Sequence, residues 1–206
     1  MEKKKYILDL LRKAKAQYQE NYMIVAVPNI FTRKFRGYCA IREDLLLILK
    51  YIDLILVQEN TVIRSSLNYS FIALYGKCFT DASQSKSPKL EATNIPEGNL
   101  RNTHNYLMEL RHKFISHRGD TPNEVDITVM LFPKEGNEQT QMRYKQVKRL
   151  SLSTDNLNAS RELINFLVGH VEQKINDTSQ KAHDGFLEMF TAQELAVMMI
   201  NNMADE

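Results

Sequence analysis

Residues 42–59 read REDLLLILKYIDLILVQE, and the spacing of their apolar side chains decides the class of fold. Leucine and isoleucine fall on nearly every side of a helix drawn through this stretch, so most of its circumference must be covered by other parts of the chain. That is the pattern of the central member of a helical bundle. Its greasiest part, Leu45 to Val57, covers 13 residues and is interrupted by Lys50 and Asp53. A membrane-spanning helix needs about 20 apolar residues, so the stretch reads as a buried helix rather than a span.

Working outward, Ile7, Leu10, Leu11, Ala14 and Tyr18 follow helical spacing and predict a first helix from about Lys3 to Glu20. Tyr22 to Gly37 is ambiguous between a helix start and an extended connector. A third helix is expected from about Thr61 to Phe79, with Leu67, Phe71, Leu74 and Cys78 on one stripe and Tyr75 beside it. The following stretch, Thr80 to Asn99, is polar and holds two prolines, which predicts a long loop. A fourth helix should start with Asn99 as its N-cap and stop at Gly119, its core stripe being Thr103, Leu107, Leu110 and Phe114.

Beyond it the period changes. Val125, Ile127, Val129 and Leu131 alternate with Asp126, Thr128, Met130 and Phe132, a strand pattern, and Met142 to Leu152 is a plausible partner strand. A fifth helix is expected from about Asp155 to Asn176, with Leu157, Ile164, Leu167 or Val168, Val171 and Ile175 inward. Thr191 with Glu194 forms a capping box that would open a last short helix. The expected architecture is therefore mainly α, with a β-hairpin inserted at about 124–152. Residues 1–180 form the bundle, and 181–206 form a C-terminal helical tail that is not a separate domain.

Composition narrows the function. The chain has 206 residues, 27 basic and 25 acidic side chains, 43% hydrophobic residues, 7 glycines and 2 cysteines. The glycines stand at 37, 76, 98, 119, 136, 169 and 185, never closer than 16 residues, so neither a glycine-rich phosphate loop nor a dinucleotide fingerprint exists. Cys39 and Cys78 lie 39 apart without a CxxC spacing, which fits reduced structural thiols. His104 and His112, eight apart, lack the spacing of a helical metal pair, and no metal or other cofactor is expected. The early apolar run from Met23 to Val27 is too short for a signal-peptide core, so the expectation is a cytoplasmic protein without a membrane partner.

The densest cationic feature is LMELRHKFISHRGD, residues 107–120, with Arg111, His112, Lys113, His117 and Arg118 opposed only by Glu109 and Asp120. An arginine and a histidine together supply what phosphodiester cleavage needs: a fixed cation for the phosphoryl oxygens and a group that exchanges protons near neutral pH. On the residues alone, His117 reads equally as a helix-terminal histidine bound to last-turn carbonyls, and Arg111 as a solvated helix arginine paired with a carboxylate.

The run from Arg111 to His117 resembles the Arg-x(4 to 6)-His motif of the HEPN superfamily, small helical domains that are often RNases in toxin, phage-defence and RNA-processing systems. There the residue after the arginine is typically polar, frequently Asn, Asp or His, and His112 matches. The resemblance spans about residues 40–176, with the motif on a late helix. The hairpin is not part of the minimal bundle. The resemblance implies a metal-independent endoribonuclease in which the RNA 2′-OH attacks the adjacent phosphorus. His117 would then be general base or acid and Arg111 the phosphate-holding cation, with His112 and Lys113 supporting and Arg118 contacting the backbone.

Six positions on an ideal α-helix leave Arg111 and His117 about 120° apart, so they do not share one face. The resemblance implies a remedy, a homodimer that brings two motifs into one composite cleft, and it implies an antitoxin or other protein partner. The alternative is a non-catalytic module of the same kind that binds RNA, nucleotide or a protein. Two further features have double readings. Met189, Met198, Met199 and Met203 could fill a core or grip a partner. The first 36 residues, at +6, could guide RNA or form a solvated face.

Overall fold

A computed structural model describes residues 2–22, 24, 27–81, 87–115, 124–134, 139–148, 151–191, 193–194 and 197. The described residues form helices α1 (Glu2–Tyr18), α2 (Asn29–Val57), α3 (Thr61–Cys78), α4 (Asn99–Leu110) and α5 (Thr154–Glu188), with strands β1 (Glu124–Leu131) and β2 (Gln141–Lys148) between α4 and α5. The protein is mainly α with an inserted antiparallel hairpin, as its hydrophobic periods require. It divides into two compact units, residues 37–174 and residues 1–36 with 175–206.

In the larger unit the core is a set of helical stripes. Leu45, Ile48, Ile52 and Ile55 of α2 are fully buried, as are Phe71, Ile72 and Tyr75 of α3, Leu107 of α4, and Leu157, Ile164 and Val171 of α5. Each such side chain contributes about 1.5–3 kcal/mol over an exposed one. The α2 stripe repeats at intervals of three and four, and beside its members Leu47, Leu54 and Leu56 remain exposed. The expectation that most of this helix would be covered is thus met on one face only.

Several boundaries differ from expectation for identifiable reasons. α2 begins at Asn29, just after Pro28, and runs 13 residues further upstream than the leucine-rich stretch. Pro28 closes the first turn, its carbonyl accepting from the Phe31 N–H. α5 continues to Glu188 rather than ending near Asn176. Its extension lies in the smaller unit, where Phe186 packs edge-on against Phe31 at 6.2 Å and stacks near Phe190 at 5.0 Å. Phenylalanine contacts, not a leucine stripe, hold that end. Met189 is exposed, and Met198, Met199 and Met203 lie outside the described residues.

Start signals fared better. Asn60 caps α3, its side-chain oxygen accepting from the N–H groups of Val62 and Ile63. The Thr191–Glu194 capping box is formed in both directions. Asn99, expected as the N-cap of α4, is instead its first helical residue. The cap is Gly98 at φ 101°, a left-handed conformation that glycine adopts without steric cost.

The polar stretch after α3 is anchored at two points by Leu90 and Ile95, which are buried at 3% and 1% exposure. The Leu90 N–H donates to the Cys78 carbonyl at 2.8 Å, and a single 3-10 turn spans Ala92–Asn94. The chain leaving the hairpin is tied back through buried Asn68, whose side chain donates to the Arg64 carbonyl and accepts from the Leu152 N–H. The hairpin itself pairs Glu124 with Lys148 through Leu131 with Gln141. Ile127, Met130, Met142, Tyr144 and Val147 on it are exposed.

Candidate functional site

The site candidates lie where α4 ends. The fourth helix does not continue as an α-helix to Gly119: it stops at Leu110 and changes to a π-helix over Arg111–Ile115. A π-turn takes more residues than the 3.6 of an α-turn, so the 120° separation of an ideal helix no longer applies beyond Arg111. Such turns are frequent at functional sites. His117 and Arg118 lie outside the described residues. The structure therefore places Arg111, His112 and Lys113, and the pairing of Arg111 with His117 lies outside the described residues.

Arg111 is half-buried and lies across α3. Its nearest surface is Gly76: a Cβ there would fall 2.0 Å from the arginine Cδ and 2.4 Å from Nε. The missing side chain is what lets the arginine cross the helix. Its guanidinium Nη2 then donates to the Thr80 hydroxyl at 2.9 Å, and that hydroxyl donates to the Gly76 carbonyl at 2.8 Å. Thr80 thus holds the guanidinium while satisfying a carbonyl at the end of α3. No carboxylate pairs with Arg111 among the described residues.

Its neighbours are placed differently. Lys113 donates to Glu109 at 2.6 Å, one helical turn back, so its charge is locally offset. His112 is exposed. Of the cations described in the motif, Arg111 alone combines partial burial, a fixed position and an unneutralised charge.

Next to Gly76 on α3 begins a buried aromatic group whose members the sequence did not bring together. The Tyr75 hydroxyl and His104 Nδ1 are 2.7 Å apart. Phe79 lies against both rings, at 5.1 Å from Tyr75 and 4.6 Å from His104. Burial pushes the Tyr75 hydroxyl well above the usual phenol range, and it lowers His104, with Arg101 as a smaller cause. Both groups therefore stay neutral, and the phenol O–H donates a hydrogen bond to the imidazole nitrogen. This pair joins α3 to α4 within one residue of Gly76. The signal that could have found it was His104 lying three residues before Leu107 on the core stripe.

Among the described residues no group of three His, Cys, Asp or Glu side chains is arranged to hold a metal ion, and no described helix is long and apolar enough to cross a membrane. No protein-family model, curated protein or solved structure matches the chain.

Proposed function

We propose that this chain is a metal-independent endoribonuclease of HEPN type, in which Arg111 holds the scissile phosphate and His117 transfers protons. One observation carries the reading beyond the motif: a half-buried arginine is fixed over Gly76 by Thr80 and has no carboxylate partner among the described residues. A charge held in place without a counter-ion is suited to an anion, and a guanidinium fork matches phosphate oxygens better than an ammonium does.

In the reaction, the 2′-oxygen attacks phosphorus while its proton passes to a neutral histidine, and the bond from phosphorus to the 5′-oxygen breaks. The products are a 2′,3′-cyclic phosphate and a 5′-hydroxyl whose oxygen takes up a proton. Arg111 stabilises the charge that develops on the non-bridging oxygens. His112 lies beside it as a second imidazole, and Arg118 is assigned a backbone phosphate. A homodimer supplies the second motif and closes the site, since a twofold axis presents the same helix end from both subunits. A toxin or defence role, with an antitoxin as partner, belongs to the same reading.

The hydrogen bond from Arg111 to Thr80 favours one competitor, a non-catalytic binding module in which the arginine only straps α4 to α3. RNA incubated in EDTA with wild type, Arg111→Ala and His117→Ala separates the two. Cleavage by wild type alone is the expected result. No cleavage by any of the three supports the binding module, and equal cleavage by all three refutes the assignment of these residues.

A further inference from the structure

Thr80 has a second side. Its hydroxyl faces Arg111, and the residue also lines a cleft of about 320 Å³ between the C-terminal end of α3 and the first turns of the larger unit in α2. The floor is apolar, formed by Ile41 and the buried Cys78, with Ala40 at the lip. Pro88 closes one end by lying against Gly37, where a Cβ would fall 2.2 Å from the proline Cδ. Burial pushes the Cys78 thiol up to about 12, so it lines the cleft as a neutral, unreactive group.

One wall is polar in a specific way. Lys77 Nζ donates to Asp44 Oδ2 at 2.7 Å, and Asp44 is the more covered of the two, at 20% side-chain exposure against 66% for the lysine. Asp44 Oδ1 has no hydrogen bond within the described residues. An acceptor with lone pairs to spare therefore stands beside a donor with N–H groups to spare, over an apolar floor.

We propose that this cleft receives a guanine base, carried by a ribonucleotide whose phosphate lies on Arg111. The volume is at the lower end of small-molecule sites, roughly 300–1,000 Å³, and suits one flat base. Guanine presents two adjacent N–H donors followed by the O6 acceptor. The Asp44 carboxylate takes the two donors and the Lys77 ammonium donates to O6. Adenine sets a bare ring nitrogen against the second carboxylate oxygen, and uracil offers only one N–H, so neither matches the pair. Thr80 links the two, because it lines the cleft and its hydroxyl accepts from the Arg111 guanidinium. The assignment to RNA rests on the endoribonuclease reading; recognition of the base does not.

Calorimetric titration of the full chain with guanosine 5′-monophosphate, adenosine 5′-monophosphate and guanosine tests this. Guanosine monophosphate is expected to bind about tenfold or more tightly than adenosine monophosphate, the discrimination a bidentate base contact provides. Asp44→Asn should remove that preference, and Ala40→Phe, which puts a ring into the cleft that Ala40 lines, should remove binding. Arg111→Ala should weaken guanosine monophosphate and leave guanosine unchanged. An eight-residue RNA with a single guanine, compared with one that has none, identifies the source. Preferential binding of the guanine-containing RNA marks a strand site, and binding of the free mononucleotide alone marks a nucleotide site.

Equal binding of the two monophosphates, no binding of either, or a guanine preference unchanged in a folded Asp44→Asn protein overturns the proposal. Its failure is distinguishable from that of the nuclease reading. Cleavage in EDTA without guanine preference or guanosine monophosphate binding leaves the nuclease and removes the base site, whereas selective binding without cleavage does the reverse.

Discussion

Gly76 lies in the last turn of α3, where glycine costs at most about 1 kcal/mol relative to alanine in helix propensity. The contact with Arg111 supplies the reason, since any Cβ would overlap the middle of the arginine side chain rather than its flexible end. Gly76→Ala should therefore fold, because the gain in propensity offsets the repacking. It should expel the guanidinium from Thr80 and lower RNA cleavage to the level of Arg111→Ala. Gly169 in α5 provides the control, because a Cβ there meets nothing within 4 Å. Gly169→Ala should raise stability by about 0.4–1 kcal/mol and leave cleavage unaltered. Melting curves and cleavage rates of both variants check this; full activity in Gly76→Ala would show that the arginine needs no fixed position. Neither glycine is distinguishable in the sequence, where both stand inside helical patterns. The difference arises from a residue 35 positions away, which no local period encodes.

Between elements, the junction of α3 and α4 depends on Tyr75 and His104, and it makes stability depend on pH. The folded pKa of His104 lies below its ordinary value of 6.5 because the buried ring is harder to protonate. The unfolded chain then binds more protons than the folded chain as pH falls below about 6.5, so stability is complete above that value and is lost as pH descends toward the folded pKa. Melting temperature should fall between pH 7.5 and pH 5 in wild type and fall less in His104→Gln, which keeps an acceptor for Tyr75 but does not titrate. His170, lowered by burial in the same direction, contributes equally to both proteins and cancels in the comparison. Tyr75→Phe, leaving the imidazole nitrogen unpaired, should cost about 1–3 kcal/mol at neutral pH. Identical pH profiles for wild type and His104→Gln would count against the buried pair.

The same scale shows what the sequence could reveal. α3 and the first half of α5 follow apolar periods that burial rewards, α1 follows one although Ile7, Leu10 and Tyr18 on it are exposed, and the hairpin follows a period of two, so their positions were readable. The start of α2 and the end of α5 were not, because phenylalanine contacts between distant segments replace the leucine stripe there. The π-turn at Arg111 was also hidden: its five residues, RHKFI, carry no glycine, proline or other mark of a changed helix. Of the candidate site, the cation itself was legible, and the Gly76 cradle, the Thr80 tether and the cleft beyond were not, since each depends on how α3 meets another element.

For the molecule as a whole, charge looks different once the chain is divided into its units. The basic N-terminal run contributes +6 over residues 1–36, which invited the idea that it guides RNA. Those residues share a compact unit with residues 175–206, where Lys181 stands against Asp177, Asp184, Glu188, Glu194, Asp205 and Glu206. That unit is nearly neutral, and so is the larger one, because the chain total is +2. Net charge therefore supplies little long-range attraction for a nucleic-acid ligand, and its phosphates are expected to be held by a few placed groups, chiefly Arg111. Counterion release then fixes the salt dependence. Each neutralised phosphate of a single strand contributes about −0.7 to the slope of log affinity against log salt, so one to three contacts give a slope of roughly −0.7 to −2. Affinity of a short non-cleavable RNA, measured by fluorescence anisotropy across a salt series, should show this shallow slope. Arg111→Ala should reduce it by about one contact, whereas Lys3→Gln, Lys4→Gln and Lys5→Gln combined should leave it unchanged. A slope near −4 that collapses in the triple lysine variant would instead return the N-terminal run to the role of RNA guide.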